Sequence, residues 1–144
     1  MGNDRYPAPR KPTPPPGTRW ERLRPILRWA LTGFLGFLFL TIGAAKVSGH
    51  ENVVAQFAAW GYARWFVTVI GVIELGGAAA LFVPRLTRGA AYALIAVMAG
   101  AAFTHLRAGE WPNPLYNAGF AAALAWLSTF RAAARTPANS ATEA

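Results

Sequence analysis

Glu74 stands in "GVIELGGAAALF", residues 71–82, with no other polar side chain in that run. The nearest polar neighbour on its N-terminal side is Thr68, and on the other side the run continues to Pro84-Arg85. An acid in such a setting must be paired, protonated or turned towards water, because an unpaired buried charge is costly. Its candidate partners are few. Lys46 closes the apolar run 29–45, His105 stands near the end of 89–106, and Asn117 lies near the start of 115–130. Together they predict a polar cluster Lys46–Glu74–His105–Asn117, with Arg107 and Glu110 lining its mouth. A lysine, a carboxylate and an imidazole so placed suit hydrogen bonding to a carbonyl and proton transfer, since modest changes of environment alter their charge state. Plainer roles exist for each member: snorkelling for Lys46, a backbone hydrogen bond for His105, a helix cap for Asn117, and helix bridging for Glu74.

The elements that carry these residues are four apolar segments, 29–45, 65–83, 89–106 and 115–130. Each is at the short end of the roughly 17–25 residues a helix needs to cross a bilayer. None shows the polar stripe of a helix in a soluble bundle. The composition agrees. Of 144 residues, 54% are hydrophobic and 14% charged, against about 25% charged in ordinary soluble domains. Trp29, Tyr62, Trp65, Trp111 and Tyr116 flank the segments as interfacial aromatics do. About ten residues into its segment, Glu74 lies some 15 Å deep, near the midplane of a roughly 30 Å core. Gly71, Gly77 and Ala78 share its helix face, and small residues let helices approach closely in lipid. Ala96, Gly100 and Thr104 form a matching strip, so the second segment is predicted to pack on the third.

The predicted fold is an all-α integral-membrane four-helix bundle. Within 47–64, Val53, Val54, Phe57, Ala58 and Trp60 share one side of a helix and Asn52 and Gln56 lie away from it. This predicts a short extracytoplasmic interfacial helix between spans 1 and 2. Residues 1–25 are rich in Pro and Arg and read as a disordered cytoplasmic tail, residues 26–131 as the transmembrane domain, and 132–144 as a disordered C-terminal tail. The tails and the Arg85/Arg88 turn hold most of the arginines, against Lys46, Arg64 and Arg107 on the other side. That asymmetry puts both termini in the cytoplasm. The basic stretch before the first segment is long for a signal peptide.

Several functions are disfavoured. The net charge is +8, but seven of the fourteen basic residues lie in the first 28 positions and no nucleic-acid-binding module accompanies them. There is no cysteine, so thiol redox chemistry, disulfides and thiolate metal sites are excluded in this chain. His50, His105, Glu51, Glu74 and Glu110 lack metal-site spacing such as HExxH, and no phosphate loop or Ser/His/Asp set is present.

Four stretches stand in order along the chain: Gly36, Phe39 and "GAAK" at 43–46; "FAAWGYARWF" at 57–66 with Phe57 and Gly61; "IGVIELGGAAALFVP" at 70–84 with Glu74, Gly76 and Gly77; and "AGAAFTHLRAGE" at 99–110 with Thr104, His105, Arg107 and Glu110. Through them the chain resembles the DoxX-like family of small four-helix bacterial membrane proteins over about residues 28–130. The resemblance implies a place in the bacterial cytoplasmic membrane and links to quinol oxidase, thiosulfate:quinone oxidoreduction, oxidative-stress complexes or membrane-protein assembly. The absence of cysteine departs from the thiosulfate-oxidising branch. The leading expectation is a non-catalytic accessory, scaffold or assembly subunit of a membrane complex, with lipid and membrane proteins as its partners. The alternative is a quinone-binding subunit of a membrane redox complex using Lys46, Glu74 and His105, with quinone as its ligand. A small solute or proton carrier is a further alternative.

Overall fold

A computed structural model describes residues 19–130. Among these residues the protein is all-α: α1 (Arg19–Val47), α2 (Glu51–Ala59), α3 (Arg64–Leu81), α4 (Thr87–Ala108) and α5 (Asn113–Ser128). α1 begins well before the apolar run at 29. Residues 19–25, expected in the disordered tail, are helical, since Arg, Glu and Leu favour helix and the stretch continues into a long apolar one. Residues 1–18 and 131–144 lie outside the described residues. α1, α3 and α4 are long and apolar enough to cross a membrane. α5, at 16 residues, extends about 24 Å at 1.5 Å per residue.

The connections follow from local chemistry. Gly49 adopts φ +70° in the short connection, residues 48–50, between α1 and α2. Glu51 in the first turn of α2 suits the positive end of its dipole. Between α3 and α4, Thr87 Oγ1 lies 3.2 Å from the Leu81 carbonyl and 3.1 Å from that of Val83, tying the turn around Pro84. Gly109, at φ +71°, ends α4 in the left-handed conformation that glycine adopts without steric cost. The Glu110 amide then donates to the His105 carbonyl at 3.0 Å.

The long helices touch in the order α1–α3–α4–α5, and α1 also meets α5. Backbones of the diagonal pairs, α1 with α4 and α3 with α5, make no close approach. Leu35 and Phe39 of α1, Ala78 and Leu81 of α3, Ala90, Ala91, Leu94 and Met98 of α4, and Leu124 and Leu127 of α5 form one buried core. That core sits towards the Pro84 turn. The other half of the fold is packed differently: α2 crosses over it, touching α1 and α3, and a cavity lies beneath.

The predicted short helix in 47–64 is present as α2. Asn52 and Gln56 are exposed, whereas Val53, Val54, Phe57 and Trp60 are half-buried. The predicted packing of the second segment on the third is present in part. Gly77 seats Leu94 of α4, and a Cβ at 77 would lie 2.8 Å from Leu94 Cδ2. Gly71 meets α1 instead, and the strip Ala96–Gly100–Thr104 lines the cavity rather than a helix contact.

Candidate functional site

Two glycines bring α1 and α3 together. A Cβ at Gly43 would lie 2.9 Å from the Gly71 carbonyl, and one at Gly71 would lie 2.8 Å from Lys46 Cβ. Neither position has room for alanine. One turn further along each helix stand Lys46 and Glu74, so the glycine crossing sets the distance between them. Lys46 Nζ reaches both carboxylate oxygens of Glu74 at 2.6 Å. The Glu74 side chain is 1% exposed and that of Lys46 11%. Charge-assisted contacts from one ammonium to both oxygens answer the buried acid, and every fully buried side-chain N or O among the described residues has a partner.

This pair forms part of the wall of a cavity of about 440 Å³. Most of the remaining wall is apolar. α3 contributes Phe66, Ile70 and Ile73; α4 contributes Ala93, Ala96, Val97, Gly100 and Ala101. Phe57, Trp60 and Tyr62 cover it from α2 and the following turn. The small residues of α4 create the space, because alanine and glycine at these heights leave unfilled what leucine would occupy.

The polar groups near the cover are mutually satisfied. Thr104 Oγ1 donates to the Gly100 carbonyl at 2.9 Å. Its proton is thereby committed, so Tyr62 Oη, at 2.9 Å, donates to Thr104 Oγ1. Trp60 Nε1 donates to Glu110 Oε1 at 3.0 Å, and His105 Nδ1 lies 2.7 Å from Glu110 Oε2. Arg107 donates to the Trp60 carbonyl at 2.9 Å. These bonds latch the end of α2 to the α4–α5 turn. The Trp60 indole bond, then the His105 contact, hold the Glu110 carboxyl below the usual carboxylate range.

The predicted cluster is therefore divided. Lys46 and Glu74 meet directly. His105 and Glu110 meet each other outside the cavity wall, with Asn113 Nδ2 3.4 Å from His105 Nδ1. His105 pairs with Glu110, which the left-handed turn at Gly109 folds back against the end of α4. Arg107 binds the cover rather than the pair. Asn117 is half-buried on α5, a helix whose backbone makes no close approach to α3, and it makes no side-chain hydrogen bond among the described residues. It also lies inside α5, whose N-cap is Pro112, so the capping role does not apply. Among the described residues no group of three or more His, Asp or Glu is placed to hold a metal.

The sequence points to Tyr62 as a flanking aromatic, to Trp60 as part of the apolar face of the short helix, and to Thr104 as part of a packing strip and of the family likeness, and to none of them as a member of the polar cluster. The signal available was the density of aromatics in Phe57, Trp60, Tyr62, Trp65 and Phe66, more than a nine-residue interfacial helix needs for anchoring.

No curated protein and no solved structure matches the chain. Residues 30–128 match the DoxX-like family, a span that includes the glycine crossing, the ion pair, the cavity and its cover. With three helices able to cross a membrane, this match suggests a membrane protein, and the chain belongs to the DoxX-like family.

Proposed function

We propose that the chain is a four-helix bundle of the bacterial cytoplasmic membrane, with α1, α3, α4 and α5 as spans, both termini cytoplasmic and α2 on the outer surface. In this arrangement it serves a membrane redox complex as a small-ligand-binding subunit, and the ligand is an uncharged, ring-bearing amphiphile of the quinone class. The observation that carries this reading is the 440 Å³ cavity with a single buried ion pair in an otherwise mainly apolar wall.

The chemistry of the wall selects the ligand. Lys46 has three N–H donors, and the two contacts to Glu74 leave one free for a carbonyl oxygen. Glu74 keeps lone pairs that accept from a hydroxyl. Trp60 Nε1 and the Tyr62 and Thr104 hydroxyl protons are already engaged. Because Lys46 and Glu74 cancel, a charged ligand would enter without a counter-ion, which a buried site tolerates poorly. A flat neutral ring with one or two oxygens meets these conditions. A bound quinone would supply the redox chemistry. The protein's own residues orient the ring, exclude water beneath Trp60 and Tyr62, and present the Glu74 carboxylate as the acceptor for a ligand hydroxyl.

The test is equilibrium binding of a tail-free benzoquinone to the purified protein in mild detergent, with mass spectrometry of co-purified quinones. Ala101→Phe puts an aromatic ring into the cavity from α4 and leaves both members of the ion pair in the sequence. It is expected to weaken binding by about tenfold or more, ~1.4 kcal/mol. Equal affinity in wild type and Ala101→Phe would remove this reading. A second reading, a non-catalytic scaffold or assembly subunit, is favoured by the direct closure of Lys46 on Glu74. It predicts no quinone binding and co-purification of a protein partner.

A further inference from the structure

We infer that the cavity is entered sideways from the hydrocarbon core of the membrane, through the seam between α3 and α4, so that its ligand is a membrane-dissolved amphiphile and not a solute from the outer water. The inference rests on the spanning arrangement proposed above.

The end of the cavity towards α2 is shut. Phe57 packs on Trp60 with ring centroids 5.3 Å apart, and Tyr62 stacks on Phe66 at 4.9 Å. Tyr62 is bonded to Thr104, Trp60 to Glu110, and the Trp60 carbonyl to Arg107. Water-side entry would require breaking several of these at once. The opposite end is shut by Leu94 seated on Gly77, with the buried core beyond it.

The stretch between these closures is different. Among the described residues no side-chain hydrogen bond or ion pair joins α3 to α4 there. The lining residues that are exposed belong to this seam: Ile73 of α3 is 40% exposed, and Ala93, Ala96 and Gly100 of α4 are exposed as well. A Cβ at Gly100 would meet nothing within 4 Å. All four lie inside helices long and apolar enough to cross a membrane, at heights where the surroundings are acyl chains. The covering residues Phe57, Trp60 and Tyr62 are each half-buried, and Thr104 is buried. The cavity is thus closed towards water and open towards lipid. A ring with a long apolar tail fits this shape, the ring beside Lys46 and Glu74 and the tail leaving between Ile73 and Gly100.

The chain contains no cysteine, which allows single spin labels on the full-length protein in liposomes. Ala96→Cys, Gly100→Cys and Ile73→Cys report the seam from both helices. Phe103→Cys, an exposed position on α4, is the lipid reference and Ser48→Cys the water reference. Collision with oxygen, which concentrates in lipid, is compared with collision with a water-soluble nickel chelate. Oxygen is expected to dominate at 96, 100 and 73, as at 103, and nickel at 48. Nickel dominance at the seam positions overturns the inference, and two helices reporting together guard against one misfolded variant. In a second arm, a polyprenyl-tailed benzoquinone in the liposomes is expected to lower oxygen collision at 96 and 100. Oxygen dominance without any quinone effect supports the lateral opening and counts against the quinone reading alone.

Discussion

At the scale of single residues, the ion pair separates a structural from a ligand-binding role. Removing one partner of a buried pair leaves an uncompensated charge and costs about 3–5 kcal/mol. Lys46→Met and Glu74→Leu are each expected to destabilise the protein by that order. The double variant Lys46→Met/Glu74→Leu is expected to recover most of the loss, because apolar groups of similar volume often replace a buried pair with little penalty. Denaturant unfolding in detergent measures both. If the pair orients a ligand, the double variant folds and no longer binds benzoquinone. Glu110 gives a second prediction. Its carboxyl pKa is lowered in the folded state, first by the Trp60 indole. The latch therefore adds stability that is fully present above the ordinary carboxylate pKa of about 4.3, and loses it as pH falls through the lowered value. The midpoint of the pH titration seen at the Trp60 indole N–H resonance is expected to lie below the ordinary carboxylate pKa of about 4.3. The union of Lys46 with Glu74 was legible in the sequence, because a lone buried acid demands a cation and Lys46 ends the preceding span. The diversion of His105 to Glu110 was not, since it depends on the left-handed turn at Gly109.

Among the elements, the helix crossing at Gly43 and Gly71 does the positioning. Gly71→Ala places a methyl 2.8 Å from Lys46 Cβ and 2.9 Å from the Gly43 carbonyl. It is expected to push α1 from α3 at a cost of about 1–3 kcal/mol, the range for overpacking. Gly76→Ala, one helix face away with nothing within 4 Å, is expected to be neutral or to stabilise by up to about 1 kcal/mol through helix propensity. Thermal unfolding of the two variants side by side checks the contrast. The apolar runs and the short helix α2 could be read from hydrophobic pattern and length. Which glycine faces which helix could not, because the strips on α3 and α4 look alike as sequence. Only the packing shows that one strip is filled by α1 and the other left open.

For the whole molecule, the proposed topology makes Ser48 and the Pro84 turn face opposite sides of the membrane. Thr87 is buried and bonded to Leu81 and Val83, so its exposed neighbour serves as the reporter. Ser48→Cys and Arg88→Cys are expected to react with an impermeant maleimide from opposite faces of sealed vesicles, Ser48→Cys from outside. Labelling of both from one side would overturn the four-span arrangement. The separation into a packed half near Pro84 and a hollow half under α2 could not be read from composition, since both halves are equally apolar. The length of α5 adds a consequence for the surrounding bilayer. Its roughly 24 Å fall short of the ~30 Å hydrocarbon thickness. In the proposed topology such a short span would be accommodated by thinning of the lipid beside it, snorkelling of flanking residues or association with a neighbour, at a fraction of a kcal/mol per Å. Hydrophobic mismatch of this kind draws short helices together, which makes the α5 flank the side on which a similarly short neighbour would relieve the deformation, and biases the protein towards thinner membrane.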